Sequence, residues 1–145
     1  MIRLAKQEDL AQINELGGQY NSNFSRLFDL EAIILNKNYK IFVSESCSHE
    51  IEGFLITFDT YEVSNIILII VKDMYRHQHI GSVLLDYYIS NLSLDIEKIM
   101  LEVNVTNQTA VNFYQKFGFK IIHVRKNYYS DNNDAYIMER SIESE

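Results

Sequence analysis

Proline is absent from this sequence, cysteine occurs once, and no apolar run is long. Without proline, turns must be read from Gly, Asn, Asp and Ser alone. The single Cys47 excludes an internal disulfide and leaves no thiol cluster for a metal. The four histidines show no metal spacing, so no metal is expected. No run reaches the roughly 18 apolar residues of a membrane span, so no membrane partner is expected. Residues 1–6 lack the apolar segment and cleavage site of a signal peptide, and a cytoplasmic protein is the expectation. Basic residues are outnumbered, 13 Lys and Arg against 20 Asp and Glu, for a net charge of −7. Phosphate binding over a large surface needs the opposite balance, so direct nucleic-acid binding is not expected. A cationic substrate would suit this charge, but so would no particular partner at all.

What is present fits one domain over residues 1–145: 47% hydrophobic and 23% charged residues can build a core and stay in water. Residues 1–6 read as a short strand and 8–20 as a helix with Leu10, Ile13 and Leu16 on one face. Gly17-Gly18 is expected to end or loosen that helix. Residues 26–35 carry a second helical pattern. Strands are expected at 39–44, 51–60, 66–71, 98–105, 119–126 and 134–141, with helices from about 80 and over 106–117. Strands alternating with helices, with hairpins at both ends, indicate a mixed α/β sheet.

Residues 66–91 form the stretch around which the chain is organised. Six branched apolar residues, Ile66 to Val71, suggest a strand buried on both faces. A polar turn follows, then Ile80, Val83, Leu84, Tyr87 and Tyr88 at helical spacing. The start of such a helix leaves backbone N–H groups unpaired, and its dipole favours an anion. Gly81 would let a ligand approach the backbone. A packing corner with a glycine explains the same residues equally well.

A second stretch alternates from Met100 to Val105 but places Glu102 where an apolar residue is usual. A carboxylate there is costly unless it is paired or reaches water; an outward-facing strand glutamate is the plain explanation. Asn107 is a good helix N-cap before the stripe Ala110, Phe113, Tyr114 and Phe117, and Gly118 stands at the expected stop. On that stripe Tyr114 could be simply a core aromatic whose hydroxyl needs a partner.

These residues resemble the GNAT family of acetyl-CoA-dependent N-acetyltransferases. Arg76-His77-Gln78-His79-Ile80-Gly81 follows the family's strand-to-helix signature, and Tyr114-Gln115-Lys116-Phe117-Gly118-Phe119 its Tyr-x-x-x-Gly-Phe close. Within the family the chain is most similar to the RimI-type ribosomal-protein alanine acetyltransferases. That likeness rests on Leu101-Glu102-Val103, on Tyr114 twelve residues on, and on Arg125-Lys126-Asn127-Tyr128-Tyr129. Residues before about 65 match only in outline. The resemblance implies a mostly antiparallel sheet of about seven strands with a splayed central pair, flanked by about four helices. It implies acetyl-CoA as co-substrate, with the backbone of Ile69, Ile70 and Val71 along the pantetheine arm. Residues Arg76, His77, Gln78, His79, Ile80, Gly81 and Ser82 would surround the pyrophosphate, and Asn107 would meet the CoA side. Glu102 would be the general base, through a water, and Tyr114 the acid for the leaving sulfur. Tyr128 and Tyr129 would lie against the acceptor, a protein N-terminus, with the N-terminal alanine of a small-subunit ribosomal protein foremost.

One departure stands out: His79 replaces the signature's first glycine. A Cβ there would crowd a phosphate or demand an unfavourable backbone angle, though His77 and His79 could contribute charge. The competing readings are a GNAT acting on lysine or a small amine, and a binding module without catalysis. Residues 17–25 and 128–133 would decide the acceptor. Cys47 as an acyl carrier has no arranged base and reads better as a loop cysteine; His49 and His123 read as ordinary surface or sheet residues. Composition leaves the oligomeric state open.

Overall fold

Period-two apolar patterns become strands in this chain, and three-to-four patterns become helices. The computed structural model describes residues 1–76 and 78–142. Its strands are β1 (Ile2–Leu4), β2 (Tyr39–Glu45), β3 (Ile51–Thr60), β4 (Val63–Val71), β5 (Lys98–Asn104), β6 (Lys120–Arg125) and β7 (Ala135–Ser141). They form a seven-stranded, mostly antiparallel sheet in the order β1-β2-β3-β4-β5-β7-β6. Its parallel pair is β4 with β5, in register from Val63–Lys98 to Ile66–Leu101. Among the described residues there are five α-helices: α1 (Leu10–Tyr20), α2 (Phe24–Leu27), α3 (Leu30–Leu35), α4 (Ile80–Ser90) and α5 (Gln108–Lys116).

The chain groups into two compact units. The first holds Met1–Phe58 and Leu68–Leu92; the second holds Asp59–Ile67 and the chain from Ser93. In the first unit Leu10, Ile13 and Leu16 of α1 join Phe24, Leu30, Ile41, Val43, Phe54 and Ile56 in one buried cluster. Ile13 and Phe54 are fully covered, and truncating such a side chain costs about 2–5 kcal/mol. Phe42 of β2 instead meets α4, its ring 5.9 Å from Tyr87 and 5.8 Å from Tyr88.

Three expectations need correction. Helix α1 runs through Gly17-Gly18 to Tyr20. Gly17 serves packing there: a Cβ would stand 2.5 Å from the Phe24 ring, which fills that space. The pattern over 26–35 splits into α2 and α3, because Asp29 Oδ1 accepts from the Ala32 amide at 3.2 Å and caps a new helix. The short pieces raise the helix number from about four to five. Finally, β4 begins at Val63 and is not buried on both faces: Ile66 and Ile70 are buried, but Ile67 is 41% exposed and Ile69 and Val71 are half-buried.

In the second unit β5 and β7 run antiparallel from Lys98–Ser141 to Asn104–Ala135, and β6 pairs with β7 with an irregularity between Ile121 and His123. Ile99, Leu101 and Val103 point one way along β5 and are buried; Met100, Glu102 and Asn104 take the other side. Helix α5 adds Val111 and Tyr114 to the buried set.

Candidate active site

In the first unit the site begins where β4 ends. Gly53 of β3 permits the close approach: a Cβ there would lie 2.9 Å from the Ile70 carbonyl oxygen and 3.3 Å from Val71 Cα. A single 3₁₀ turn, Asp73–Tyr75, follows. His77, expected at the pyrophosphate, lies outside the described residues. His79 then opens α4 with φ 62° and ψ 18°. That is the left-handed region, costing a non-glycine residue roughly 1–2 kcal/mol, as the replaced glycine foretold.

The start of α4 is chemically open. No side chain among the described residues caps it, and its first turn holds no acidic residue. The first helical bond runs from the Val83 amide to the His79 carbonyl at 3.0 Å. The N–H groups of Ile80, Gly81 and Ser82 precede that bond and have no acceptor within the helix. A diphosphate needs such donors, and the residues present fit one. Gln78 and His79 are exposed, while Ile80, Gly81 and Ser82 are partly so.

The segment leading to His79 is tethered from two sides. The Tyr20 hydroxyl lies 2.7 Å from the Val71 carbonyl oxygen and 2.7 Å from Asp73 Oδ1. Burial, then the bond to Asp73, raises the Tyr20 pKa, so the phenol keeps its proton. Arg76 Nε pairs with Asp73 Oδ1 at 3.2 Å, and its guanidinium lies 5.1 Å from the Tyr20 ring centre. On the other side Glu50 takes Lys72 Nζ and, at 3.1 Å, the Tyr75 hydroxyl. Lys72 holds the Glu50 carboxyl below its usual range first, and Tyr75 adds to this.

The second unit carries the proton-transfer candidates. Glu102 is 36% exposed along its side chain, with Arg125 Nη1 3.5 Å from Oε1. It both reaches water and has a partner, which removes the cost of a carboxylate on this strand. The Tyr128 hydroxyl lies against Glu102; that carboxylate first, then burial, raises its pKa. Arg125 also sits 5.5 Å from the Tyr128 ring centre, and the Tyr128 and Tyr129 rings meet at 5.1 Å and 84°. Asp134 closes the base of this loop. Its Oδ1 accepts from the Asn127 amide at 2.9 Å and its Oδ2 pairs with Lys126 at 3.2 Å, which together lower its pKa.

Asn107 caps α5, accepting from the Ala110 amide at 3.2 Å. Tyr114 is buried against Phe113 and Phe119, at 5.3 and 5.6 Å. Burial alone pushes its hydroxyl pKa far up. Among the described residues no group of three His, Cys, Asp or Glu could hold a metal, and no helix is long and apolar enough to cross a membrane.

Sequence reasoning missed Tyr20, Asp73, Glu50 and Asp134, whose partners are mostly distant in the chain. Gly53 alone left a signal, a glycine inside a strand pattern.

Residues 12–141 match the model of the acetyltransferase (GNAT) domain, and the chain belongs to that family. It is an acetyl-CoA-dependent acetyltransferase. An N-alpha-acetyltransferase of Sulfurisphaera tokodaii is 30% identical over 94% of this chain and 87% of its own. A Bacillus subtilis protein, provisionally named as a ribosomal protein bS18-alanine N-acetyltransferase, is also 30% identical, over 94% of this chain and 92% of its own. The fold matches the crystal structure of the ribosomal-protein-S18-alanine N-acetyltransferase from Escherichia coli with a TM-score of 0.81. That match has 23% identity and covers 100% of this chain and 95% of the other. Both of these sequence relatives carry names for acetylation of an α-amino group.

Proposed function

We propose that this enzyme, as a single domain, acetylates the α-amino group of a protein N-terminus, with the N-terminal alanine of a small-subunit ribosomal protein as the foremost acceptor. The observation that carries the reading is the meeting of Glu102 with Tyr128: an exposed carboxylate beside an aromatic loop residue. A base that receives a proton and a tyrosine that lies against a peptide belong side by side. The names of the archaeal and Bacillus relatives support the same acceptor class.

The amine must be neutral when it attacks the thioester carbon. An α-amine, pKa about 7.7–8.0, is roughly one-tenth neutral at pH 7, and lysine, pKa about 10.4, far less. Glu102 takes the amine's proton through a water as the C–N bond forms. Tyr114 gives its proton to the sulfur as the C–S bond breaks. Burial keeps the Tyr114 hydroxyl protonated at neutral pH, so it has a proton to donate. The α4 start takes the pyrophosphate, with Arg76 in support. The backbone of Ile69 and Val71 takes the pantetheine arm, and Asn107 also contacts CoA. The caps and tethers described above hold these groups in place.

A mass-spectrometric screen of N-terminal peptides with acetyl-CoA tests the acceptor. Alanine-first ribosomal peptides should gain one acetyl group at the α-amine. Acetylation confined to lysine side chains or small amines would overturn the reading.

A further inference from the structure

We infer that Tyr20 is a positioning residue for the acetyl-CoA turn. The inference rests on reading the start of α4 as the pyrophosphate site. Tyr20 is the last residue of α1, yet its hydroxyl reaches the last carbonyl of β4, Val71, and the Asp73 carboxylate, both at 2.7 Å. A phenol has one proton, so it serves these two acceptors in turn. Asp73 in turn holds Arg76, whose guanidinium lies over the Tyr20 ring. Tyr20, Asp73 and Arg76 thus close a ring of contacts around residues 71–76. Glu50 grips Lys72 and Tyr75 from a different side.

This matters because of what comes next. His79 keeps a left-handed backbone without being glycine. Such a conformation persists only when its surroundings over-determine it. The segment that delivers the chain to His79 is the tethered one. Tyr20 itself is 39% exposed and outside the buried cluster of α1. Its contacts go to the turn, so losing its hydroxyl should cost ligand affinity and little fold stability. Because the turn binds and does not react, affinity and turnover should separate.

The test titrates CoA into the wild-type enzyme, Tyr20→Phe and Tyr20→Leu by calorimetry, beside steady-state kinetics and melting. Phenylalanine keeps the ring under Arg76 and removes only the hydroxyl. Its Kd for CoA and KM for acetyl-CoA should rise roughly tenfold, the scale of one hydrogen bond to a charged group. Its kcat should stay within about twofold of wild type, and its Tm should hold. Leucine should bind more weakly still. Asp73→Ala should show the same split, which keeps the test valid if Tyr20→Phe misfolds. Wild-type affinity in both Tyr20→Phe and Asp73→Ala overturns the inference, as does a kcat that falls in step with affinity. If wild-type enzyme itself binds no CoA, the α4 reading fails, and that result is separate from any difference among variants.

Discussion

Helix α5 has a side-chain cap at its start and a Schellman close at its end, whereas the start of helix α4 has no cap from a described side chain. At the front of α5, Asn107 accepts from the Ala110 amide. At its back, the Gly118 amide bonds the Gln115 carbonyl at 3.0 Å and the Phe119 amide the Tyr114 carbonyl at 3.1 Å. That is the Schellman pattern, completed by the Phe119 ring on Tyr114. Gly118 supplies the left-handed residue, at φ 87°, without strain. α4 has a left-handed residue too, but it is His79, it stands at the front, and no described side chain caps the turn behind it. The α5 ends are thus held by one side-chain cap and a Schellman close, both from its own neighbours in the chain. The α4 start leaves its first amides free of a described side-chain cap, which is what the proposed pyrophosphate site requires.

The comparison divides the expected effects: variants in the second unit should change turnover or stability, and variants at the α4 start should change binding. The largest effect is expected for Glu102→Gln. Its kcat should fall by roughly 10²–10⁴, the range of a lost general base, with CoA affinity unchanged. Unaltered turnover at pH 7 would remove Glu102 from the chemistry. Tyr114→Phe keeps the packed ring, so turnover should fall while Tm stays close to wild type. An equal loss of both would make Tyr114 a core residue only.

Smaller effects follow at the helix ends. Gly118→Ala should destabilise by about 1–2 kcal/mol through the backbone, because a Cβ there would meet Arg140 no closer than 3.8 Å. Thermal melting reads this, and an unchanged Tm would refute the Schellman close. His79→Gly should move stability least, by about 1 kcal/mol or less in the stabilising direction, since relief of strain is offset by glycine's chain entropy. A large loss of stability there would show that the imidazole packs in a way the open-turn account does not include.

Much of this architecture was legible in the sequence because it is local. The span of β3, the cap at Asn107 and the stop at Gly118 follow from periodicity and turn chemistry over a few residues. The strained position was legible as a histidine in a glycine's place. What escaped was set at a distance. Gly17 looked like a helix breaker because the Phe24 ring that needs its missing Cβ cannot be seen in a helical pattern. The exposed Ile67 sits in an unbroken apolar run that carries no mark of which face stays open. Tyr20 meets Val71 and Asp73 across 51 and 53 residues, and polar partners at that range leave no periodic trace.

The most direct test of an α4 start left open for the pyrophosphate is an amide NMR titration of the enzyme with CoA. The ¹⁵N–¹H signals of Ile80, Gly81 and Ser82 should move as their N–H groups gain phosphate acceptors, while those of Gly118 and Phe119, already bonded, stay in place. CoA binding that leaves Ile80, Gly81 and Ser82 unmoved would contradict the account.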